Sequence, residues 1–414
     1  MDRRRLLHQL ATAGLALPFA RGGWAFAAPE LKQKRLIVVM LRGAVDGLSV
    51  VVPYSDADYY QLRSSIAIAR PGEDSGALDL DGRFGLHPAL APLLPLWQAR
   101  RLAFVHATGS PDPTRSHFDA QDYMESGTPG VKSTGDGWMN RLLGGLPREQ
   151  GELEAVSFGP VLPRIFAGPE EVANVPLGRA AGKPTAMDRP AIGEAFDRMY
   201  AGDDALSQAY REGRASRQRI VADLSDPVSP EAMQADNGAP PPQGFALDTS
   251  QLATLMQRNP RLRLAFMQLG GWDTHVNQGN AQGQLAKRLE PLAQGLAQLA
   301  TQLGPELDHT VIVVMSEFGR TAHENGNKGT DHGHGNVMWV LGGKTAGGKV
   351  YGDWRGLGGD GLHEGRDLPV TTDFRSVLAR VCGQHLGLSD KRLAQVFPKA
   401  PGTGAANVNR LLSA

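Results

Sequence analysis

Five stretches of the chain consist almost entirely of apolar residues, at positions 35–41, 102–106, 262–269, 311–315 and 337–341. Apolar runs of this length are typical of strands that are buried on both faces of a parallel sheet. Between them lie longer segments with apolar residues at steps of three and four, which predict amphipathic helices. The clearest is a leucine stripe made up of Leu285, Leu289, Leu292, Leu296, Leu299 and Leu303. This alternation predicts an α/β fold, a three-layer α/β/α sandwich with a mostly parallel central sheet.

Several predicted strands are followed at once by side chains that can bind a metal ion. Asp46 follows the first strand, and Asp273 and His275 follow the strand at 262–269. The strand at 311–315 and the glycine-rich loop behind it add Glu317, Asp331, His332 and His334. Because parallel strands end at one edge of a sheet, the sequence predicts that these groups gather into a metal site there. For Asp46, a simple turn formed by the Asp-Gly pair is the alternative.

The residue types limit the kind of metal site. Cys382 is the only cysteine, which excludes an intrachain disulfide and a zinc site built from cysteines. Imidazoles and carboxylates must therefore hold the metal. This mixture of nitrogen and oxygen ligands favours zinc or manganese over calcium, and the number of candidate ligands allows one or two divalent ions.

Ser116 lies beyond the strand at 102–106, where a predicted helix begins. A serine in this position commonly caps a helix, with an acidic residue such as Asp119 in the first turn. Alternatively, its hydroxyl is a nucleophile held beside the metal, with Arg115 and His117 alongside. The local sequence leaves both interpretations open.

The first 28 residues have the features of an export signal. Three arginines at positions 3–5 precede the apolar run 6–20, and a small-x-small cleavage site follows at 25–27. The adjacent arginines predict a twin-arginine signal peptide, with ordinary secretion as the alternative. We therefore expect a periplasmic or secreted protein that uses the twin-arginine export machinery and has no stable membrane anchor.

Charge and length narrow the remaining possibilities. Among 414 residues, 43 Lys and Arg balance 43 Asp and Glu, so the chain has no net field that would attract nucleic acid. We expect one domain from residue 29 to 414, because no repeat or independent strand series divides it. A charged helical segment and a proline-rich stretch at about 182–243 predict an insertion or lid over the sheet edge.

Five motifs carry a resemblance to a known family. They are Arg-Gly-x-x-Asp-Gly-Leu-Ser at 42–49, Arg-Ser-His-Phe-Asp-Ala-Gln-Asp at 115–122, Gly-Trp-Asp-Thr-His at 271–275, Ser-Glu-Phe-Gly-Arg-Thr at 316–321 and Asp-His-Gly-His-Gly at 331–335. From about 35 to 388 the chain resembles the domain of unknown function 1501 family of exported bacterial proteins. That family is in turn similar to the alkaline phosphatase and sulfatase superfamily, which implies an alkaline-phosphatase-like fold.

The resemblance also implies roles for individual residues. The superfamily order is an early metal Asp, a Ser/Thr nucleophile, an Asp/His pair, an Asp-His pair at a strand end and a late His. This chain matches the order with Asp46, Ser116, Asp273 and His275, Glu317, and His332 or His334. It departs from the pattern in two ways: Phe318 stands where the second Asp-His pair has its histidine, and Asp273 and His275 are closer than usual.

Together, the residues and the resemblance predict an exported metal-dependent hydrolase of phosphate or sulfate esters, acting on a small-molecule or glycan ester. Ser116 would attack, with His117 alongside, and Arg115 or Arg320 would clamp the oxygens of the transferring group. Two alternatives are a non-catalytic exported metal-binding or assembly protein of the same fold, and a metal-dependent phosphomutase or transferase.

Overall fold

The computed structural model describes residues 33–147, 153–178, 190–204, 236–401 and 408–413, together with 206–208, 210, 211 and 214. The predicted signal peptide at 1–28 and most of the predicted lid at 182–243 lie outside the described residues. Of the lid, the structure describes mainly the helix Pro190–Met199. Within the described part of the chain, no helix has the length and apolar character needed to cross a membrane.

The five apolar runs all form strands. In chain order, the described strands are β1 (Arg35–Leu41), β2 (Val51–Val52), β3 (Leu78–Asp79), β4 (Gly85–Leu86), β5 (Leu102–Gly109), β6 (Ala155–Phe158), β7 (Ala173–Val175), β8 (Leu264–Leu269), β9 (Thr310–Ser316), β10 (Asn336–Gly342), β11 (Lys349–Tyr351) and β12 (Thr372–Asp373). Strands β2, β4 and β3 form a small separate sheet.

The other nine strands form the central sheet in the order β11-β5-β10-β9-β1-β8-β6-β7, with β12 paired to β5. Strand β10 is antiparallel to both of its neighbours, β5 and β9. The remaining described pairings in this sheet are parallel. The predicted mostly parallel sheet is therefore confirmed, and every strand of it except β10 points the same way.

Helices cover both faces of the sheet. The described α-helices are α1 (Gly47–Val50), α2 (Ala57–Leu62), α3 (Leu94–Gln98), α4 (His117–Ser126), α5 (Trp138–Gly145), α6 (Pro190–Met199), α7 (Phe245–Arg258), α8 (Gln284–Leu303), α9 (Phe374–Arg380) and α10 (Asp390–Val396). Short 3-10 segments lie at Pro88–Leu93, Arg164–Phe166, Pro242–Gly244, Gly304–His309 and Gly359–Gly361, and α9 continues into a π-helical turn at Val381–His385.

Alternate residues of β1 enter two different cores. Ile37, Val39 and Leu41 pack in the core that contains the leucine stripe of α8 and the apolar face of α7. Leu36, Val38 and Met40 pack in the core on the opposite face, with residues of α5, α9 and α10. Because successive side chains of a strand point to opposite faces, a strand covered on both faces reads as an unbroken apolar run. The α/β/α layering is therefore confirmed.

The parallel strands deliver their exit loops to one edge. β1, β8 and β9 are adjacent, and their registers align Leu41 with both Leu269 and Ser316. The residues that follow these positions therefore begin at the same level of the sheet, together with the exit of β5. This edge carries the site described next.

Candidate metal centre

Three imidazoles and one carboxylate meet at the C-terminal edge of the sheet. Nε2 of His332 lies 3.0 Å from Nε2 of His117 and 2.9 Å from Nε2 of His275. Oδ1 of Asp273 lies 3.0 Å from Nε2 of His275 and 3.3 Å from Nε2 of His332. Its Oδ2 lies 3.6 Å from Nε2 of His117. We call these four residues the imidazole cluster.

An oxygen holds each imidazole from behind, at its Nδ1 atom. The three acceptors are Glu317 Oε1 for His117 at 2.7 Å, Asp331 Oδ1 for His275 at 3.0 Å and the Arg115 carbonyl oxygen for His332 at 2.9 Å. Because these oxygens accept, each neutral ring carries its hydrogen on Nδ1 and a lone pair on Nε2. Three lone pairs and a carboxylate then face one another, an arrangement that a cation between them stabilises. Imidazole ligands of metal ions are usually oriented in this way.

The spacing of the donor atoms also fits a metal ion. Two atoms that each lie about 2.0–2.1 Å from a tetrahedral zinc are roughly 3.3–3.4 Å apart. Five separations between these nitrogen and oxygen atoms run from 2.9 to 3.6 Å, on either side of that value. Ligand atoms of His117, Asp273 and His332 all lie within 4.8 Å of one another. The described residues therefore fit a divalent metal ion held by nitrogen and oxygen.

Hydrogen bonds within the imidazole cluster shift the pKa values of His117 and Asp273 in opposite directions. Burial alone would lower the pKa of His117, but its hydrogen bonds to Asp273 and Glu317 outweigh burial and raise that pKa to about 9. Burial would likewise raise the pKa of Asp273, but His117, His332 and Arg320 hold it well below its usual range. The carboxylate is therefore ionised, and the proton on His117 supplies a positive charge beside it.

The imidazole cluster is open to solvent on one side. The side chain of His117 is 13% exposed and that of Asp273 is 25% exposed. On the open side, the values are 39% for His275 and 53% for Asp331. A metal ion at this position could therefore be reached by a ligand from solution.

Close packing of the strand exits creates the site. Gly43, after β1, has a φ of +109°, and a Cβ there would meet the backbone nitrogen of Asp273 at 2.8 Å. Only glycine allows the β1 and β8 exit loops to approach this closely. The backbone nitrogen of Gly43 also donates to Oε1 of Glu317 at 2.8 Å. Glu317 is fully buried, and its hydrogen bonds link the exits of β1, β5 and β9.

Arg320 joins several loops at the same edge of the sheet through hydrogen bonds. Its guanidinium, which is not exposed, donates to Asp273 Oδ1. The remaining acceptors are the carbonyl oxygens of Gly43, Ala44, Trp272 and Thr330. All of its hydrogen bonds go to protein groups, so Arg320 supports Asp273 and does not face the open side of the imidazole cluster.

The structure brings together most of the predicted site residues, in two layers. Asp273, His275, His332 and the predicted catalytic neighbour His117 form the imidazole cluster. Behind them lie Glu317, Asp331, Arg320 and the Arg115 carbonyl group. The Arg115 guanidinium points elsewhere, to Glu364 and Asp367 at 2.7 Å each.

Four predicted metal ligands do not join the imidazole cluster: Glu317 and Asp331 accept hydrogen bonds from the backs of its rings, and Asp46 and His334 lie apart from it. The Asp46 carboxylate is paired with the guanidinium of Arg63. The His334 ring packs against His363, with 4.8 Å between ring centres, and lines a separate cavity of about 370 Å³. Burial lowers the pKa of His334 to about 4, so it is neutral. Ser116 is the N-cap residue of α4, and its exposed side chain makes no capping hydrogen bond.

Sequence reasoning missed that His117 faces the metal position, and it missed the supporting residues Arg63, Gln121 and Gln278. The available signal for His117 was its place directly after a strand exit at the same edge as the predicted ligands. No local pattern marks Arg63 or Gln278, because their partners are distant in the chain.

The protein is an α/β protein with a mostly parallel sheet, and three histidines and one carboxylate cluster at one edge of that sheet. The chain belongs to the family described as "Protein of unknown function (DUF1501)", which matches residues 33–397. The predicted family membership is thereby confirmed. A search of curated proteins finds no match to the chain.

Solved structures resemble the chain at low identity. One is described as a protein in the alkaline phosphatase superfamily from Vibrio parahaemolyticus (10% identity, 78% of this chain and 64% of that chain, TM-score 0.35). Another is the lipoteichoic acid synthase LtaP from Listeria monocytogenes (10%, 91% and 76%, TM-score 0.35). A third is the PsFucS1 sulfatase from Pseudoalteromonas sp. (10%, 87% and 68%, TM-score 0.39). All three structures are 10% identical to the chain, with TM-scores of 0.35 to 0.39, and we infer no activity from them.

Proposed function

We propose that this chain is an exported, metal-dependent hydrolase of phosphate or sulfate esters. The observation that carries the proposal is the convergence of three Nε2 lone pairs and the Asp273 carboxylate at a point open to solvent. His117, Asp273, His275 and His332 would hold one divalent ion, zinc or manganese. Such an ion polarises an ester oxygen and stabilises the charge that develops during transfer.

Ser116 is the residue best placed to attack. It directly precedes His117 and directly follows Arg115, whose carbonyl oxygen holds His332, so both of its neighbours contact the imidazole cluster. Its side chain is exposed and caps no backbone N–H of α4. The hydroxyl is therefore available to a substrate. The ten-residue helix α4 begins here, and its first N–H groups favour a bound anion such as a phosphate or sulfate group.

The decisive experiment compares two serines in the metal-loaded protein, with aryl phosphate and aryl sulfate esters as substrates. Ser116→Ala should lower kcat by on the order of a thousandfold or more while metal content stays unchanged. Ser389 is the matched control, since it is also exposed and begins a helix without capping it. Ser389→Ala should leave kcat unchanged. Full turnover by Ser116→Ala would exclude this serine as the nucleophile.

Export is the second part of the proposal. Replacing Arg4 and Arg5 with lysine should leave the precursor in the cytoplasm, because the twin-arginine machinery reads the arginine pair. Fractionation of cells that express either form measures this directly. Normal export of the lysine form would instead indicate ordinary secretion.

A specific observation favours a second candidate, a non-catalytic metal-binding protein. The guanidiniums of Arg115 and Arg320, which were predicted to clamp a transferring group, are both engaged by protein groups. In that case the ion would serve assembly or stability. Tight metal binding without hydrolysis of any phosphate or sulfate ester in the panel would support this candidate over the hydrolase.

A further inference from the structure

The carboxylate of Asp46 is enclosed by the protein. The side chains of Asp46 and Arg63 are both 0% exposed. Arg63 grips the carboxylate as a fork, donating from Nη1 to Oδ2 at 2.6 Å and from Nη2 to Oδ1 at 3.0 Å. Oδ2 also accepts from Ser49 Oγ and from Gln278 Nε2, each at 2.7 Å. The guanidinium therefore engages both oxygens of the carboxylate.

Arg63 has an acceptor for each of its five N–H groups. Two go to Asp46, and Nη1 also donates to Ser49 Oγ at 3.1 Å. The other two reach the carbonyl oxygens of Thr321 at 2.8 Å and Ala322 at 2.9 Å. A guanidinium in a protein is permanently charged, so Asp46 has a counter-ion that no chelator removes.

This buried pair is joined to the loops that carry the imidazole cluster. Gln278, which donates to Asp46, accepts from Thr274 Oγ1 at 2.7 Å and from Thr330 Oγ1 at 2.9 Å. Thr274 lies between Asp273 and His275, and Thr330 directly precedes Asp331. Arg63 also donates to the carbonyl oxygens of Thr321 and Ala322, so the segment after Arg320 is joined to the same buried pair.

Glu317, another predicted metal ligand, is also engaged by donors of the protein. Oε1 of Glu317 accepts from Nδ1 of His117 at 2.7 Å, from Gly43 N at 2.8 Å and from Gln121 Nε2 at 3.0 Å. Phe318 stands where a ligand histidine would be needed, and its ring packs 4.9 Å from the ring of His117. The residues at this position therefore do not fit a second metal ion.

We propose that the Arg63 guanidinium takes the place of a second metal ion and positions the loops of the imidazole cluster, so that the chain binds one ion and not two. A buried carboxylate needs a compensating positive charge, and the Arg63 guanidinium provides that charge for Asp46. The inference concerns metal number and loop positioning, and it does not depend on whether any ester is hydrolysed.

The test is the metal stoichiometry of the full chain. Metal-stripped protein is titrated with Mn²⁺ by calorimetry, and bound metal is measured after desalting. Wild type should bind one ion per chain, and Asp46→Asn should also bind one. Arg63→Met leaves the carboxylate without a cation, so it should bind a second ion in millimolar Mn²⁺. Asp46→Asn/Arg63→Met should return to one.

Three results would overturn the proposal. The first is a second ion in wild type that Asp46→Asn removes. The second is an anomalous scattering peak bonded to an Asp46 oxygen in Mn²⁺-soaked crystals. The third is a folded Arg63→Met protein that still binds one ion. If Arg63→Met does not fold, Asp46→Asn and the crystal still decide. A wild type that binds one ion and hydrolyses no ester contradicts the proposed function and agrees with this inference, whereas a wild type that binds no ion contradicts both.

Discussion

Nε2 of His117 and Nε2 of His332 lie 3.0 Å apart, although 215 positions separate the two residues in the chain. Both rings are held at Nδ1 by acceptor oxygens, so both nitrogens present lone pairs to the same point. Two such lone pairs repel unless a proton or a metal ion lies between them. This relationship is the physical basis of the proposed metal centre.

Two histidines in one loop should behave differently toward metal. His332→Ala removes a donor from the imidazole cluster, so the affinity for Zn²⁺ should fall at least about a hundredfold. His334→Ala is the matched control, because its ring lines a separate cavity, and its affinity should change less than about threefold. Calorimetric titration of both variants with Zn²⁺ measures the difference. Equal losses in the two variants would contradict the assignment of the ligands.

The two carboxylates that hold imidazoles from behind should matter to different degrees. Glu317 is fully buried, whereas Asp331 is 53% exposed. Water can therefore replace Asp331 as the hydrogen-bond acceptor of the His275 ring. Glu317→Gln should therefore weaken metal binding by about 10–100-fold, and Asp331→Asn should weaken it by only a few-fold. The pKa of His117 should also fall in Glu317→Gln, because a raising interaction is lost. NMR titration of the metal-free protein measures that shift, and an unchanged pKa would count against the role of Glu317.

We expect Arg320 to contribute mainly to the stability of the fold, and to affect turnover only through it. Arg320→Met leaves the Asp273 carboxylate and several carbonyl oxygens without their donor, so the free energy of unfolding should drop by roughly 3–5 kcal/mol. Arg355, which pairs with Asp353 at the surface, is the control. Arg355→Met should change the free energy of unfolding by less than about 0.5 kcal/mol. Urea unfolding gives both values, and a fully stable Arg320→Met protein would restore this residue as a candidate substrate clamp.

Acid should destabilise the fold through buried neutral histidines. Burial lowers the pKa of His106 from 6.5 to about 4, so between these values the unfolded chain binds a proton that the folded chain does not. Stability from this residue is complete above pH 6.5 and is lost as the pH falls toward 4, by up to about 3 kcal/mol. His106→Gln should show a shallower loss of stability over this range. His323→Gln, at an exposed position, should keep the wild-type slope.

The strand pattern made much of the fold predictable. A residue such as Val38 lies in a run that is apolar at every position, which is what burial on both faces of a parallel sheet requires. The position of Asp273 at a strand exit likewise follows from the pattern, and a shared strand direction brings such exits to one edge. The antiparallel direction of β10 was not predictable, since an apolar run does not encode direction.

The candidate site was predictable only in part. Proximity along the chain grouped His332 with His334, yet the structure separates them, with the His332 ring in the imidazole cluster and the His334 ring packed against His363. Asp46 has the right place in the order of motifs, but whether it faces an ion or a guanidinium depends on Arg63, which comes from a different element. Ser116 is the N-cap residue of α4 by position, but its side chain makes no capping hydrogen bond, and its role as nucleophile stays a prediction.

By itself, the sequence determined five of the described strands, which residue types could bind a metal and at which edge of the sheet they would lie, because hydrophobic periodicity and strand polarity are local properties. Only the tertiary structure decided which nitrogen of each histidine is free and which carboxylates support a ligand. Those outcomes depend on single hydrogen bonds between distant residues, such as His117 with Glu317 and Asp46 with Arg63. Such a bond forms only when packing brings its two partners within about 3 Å, and no pattern within one segment carries that information.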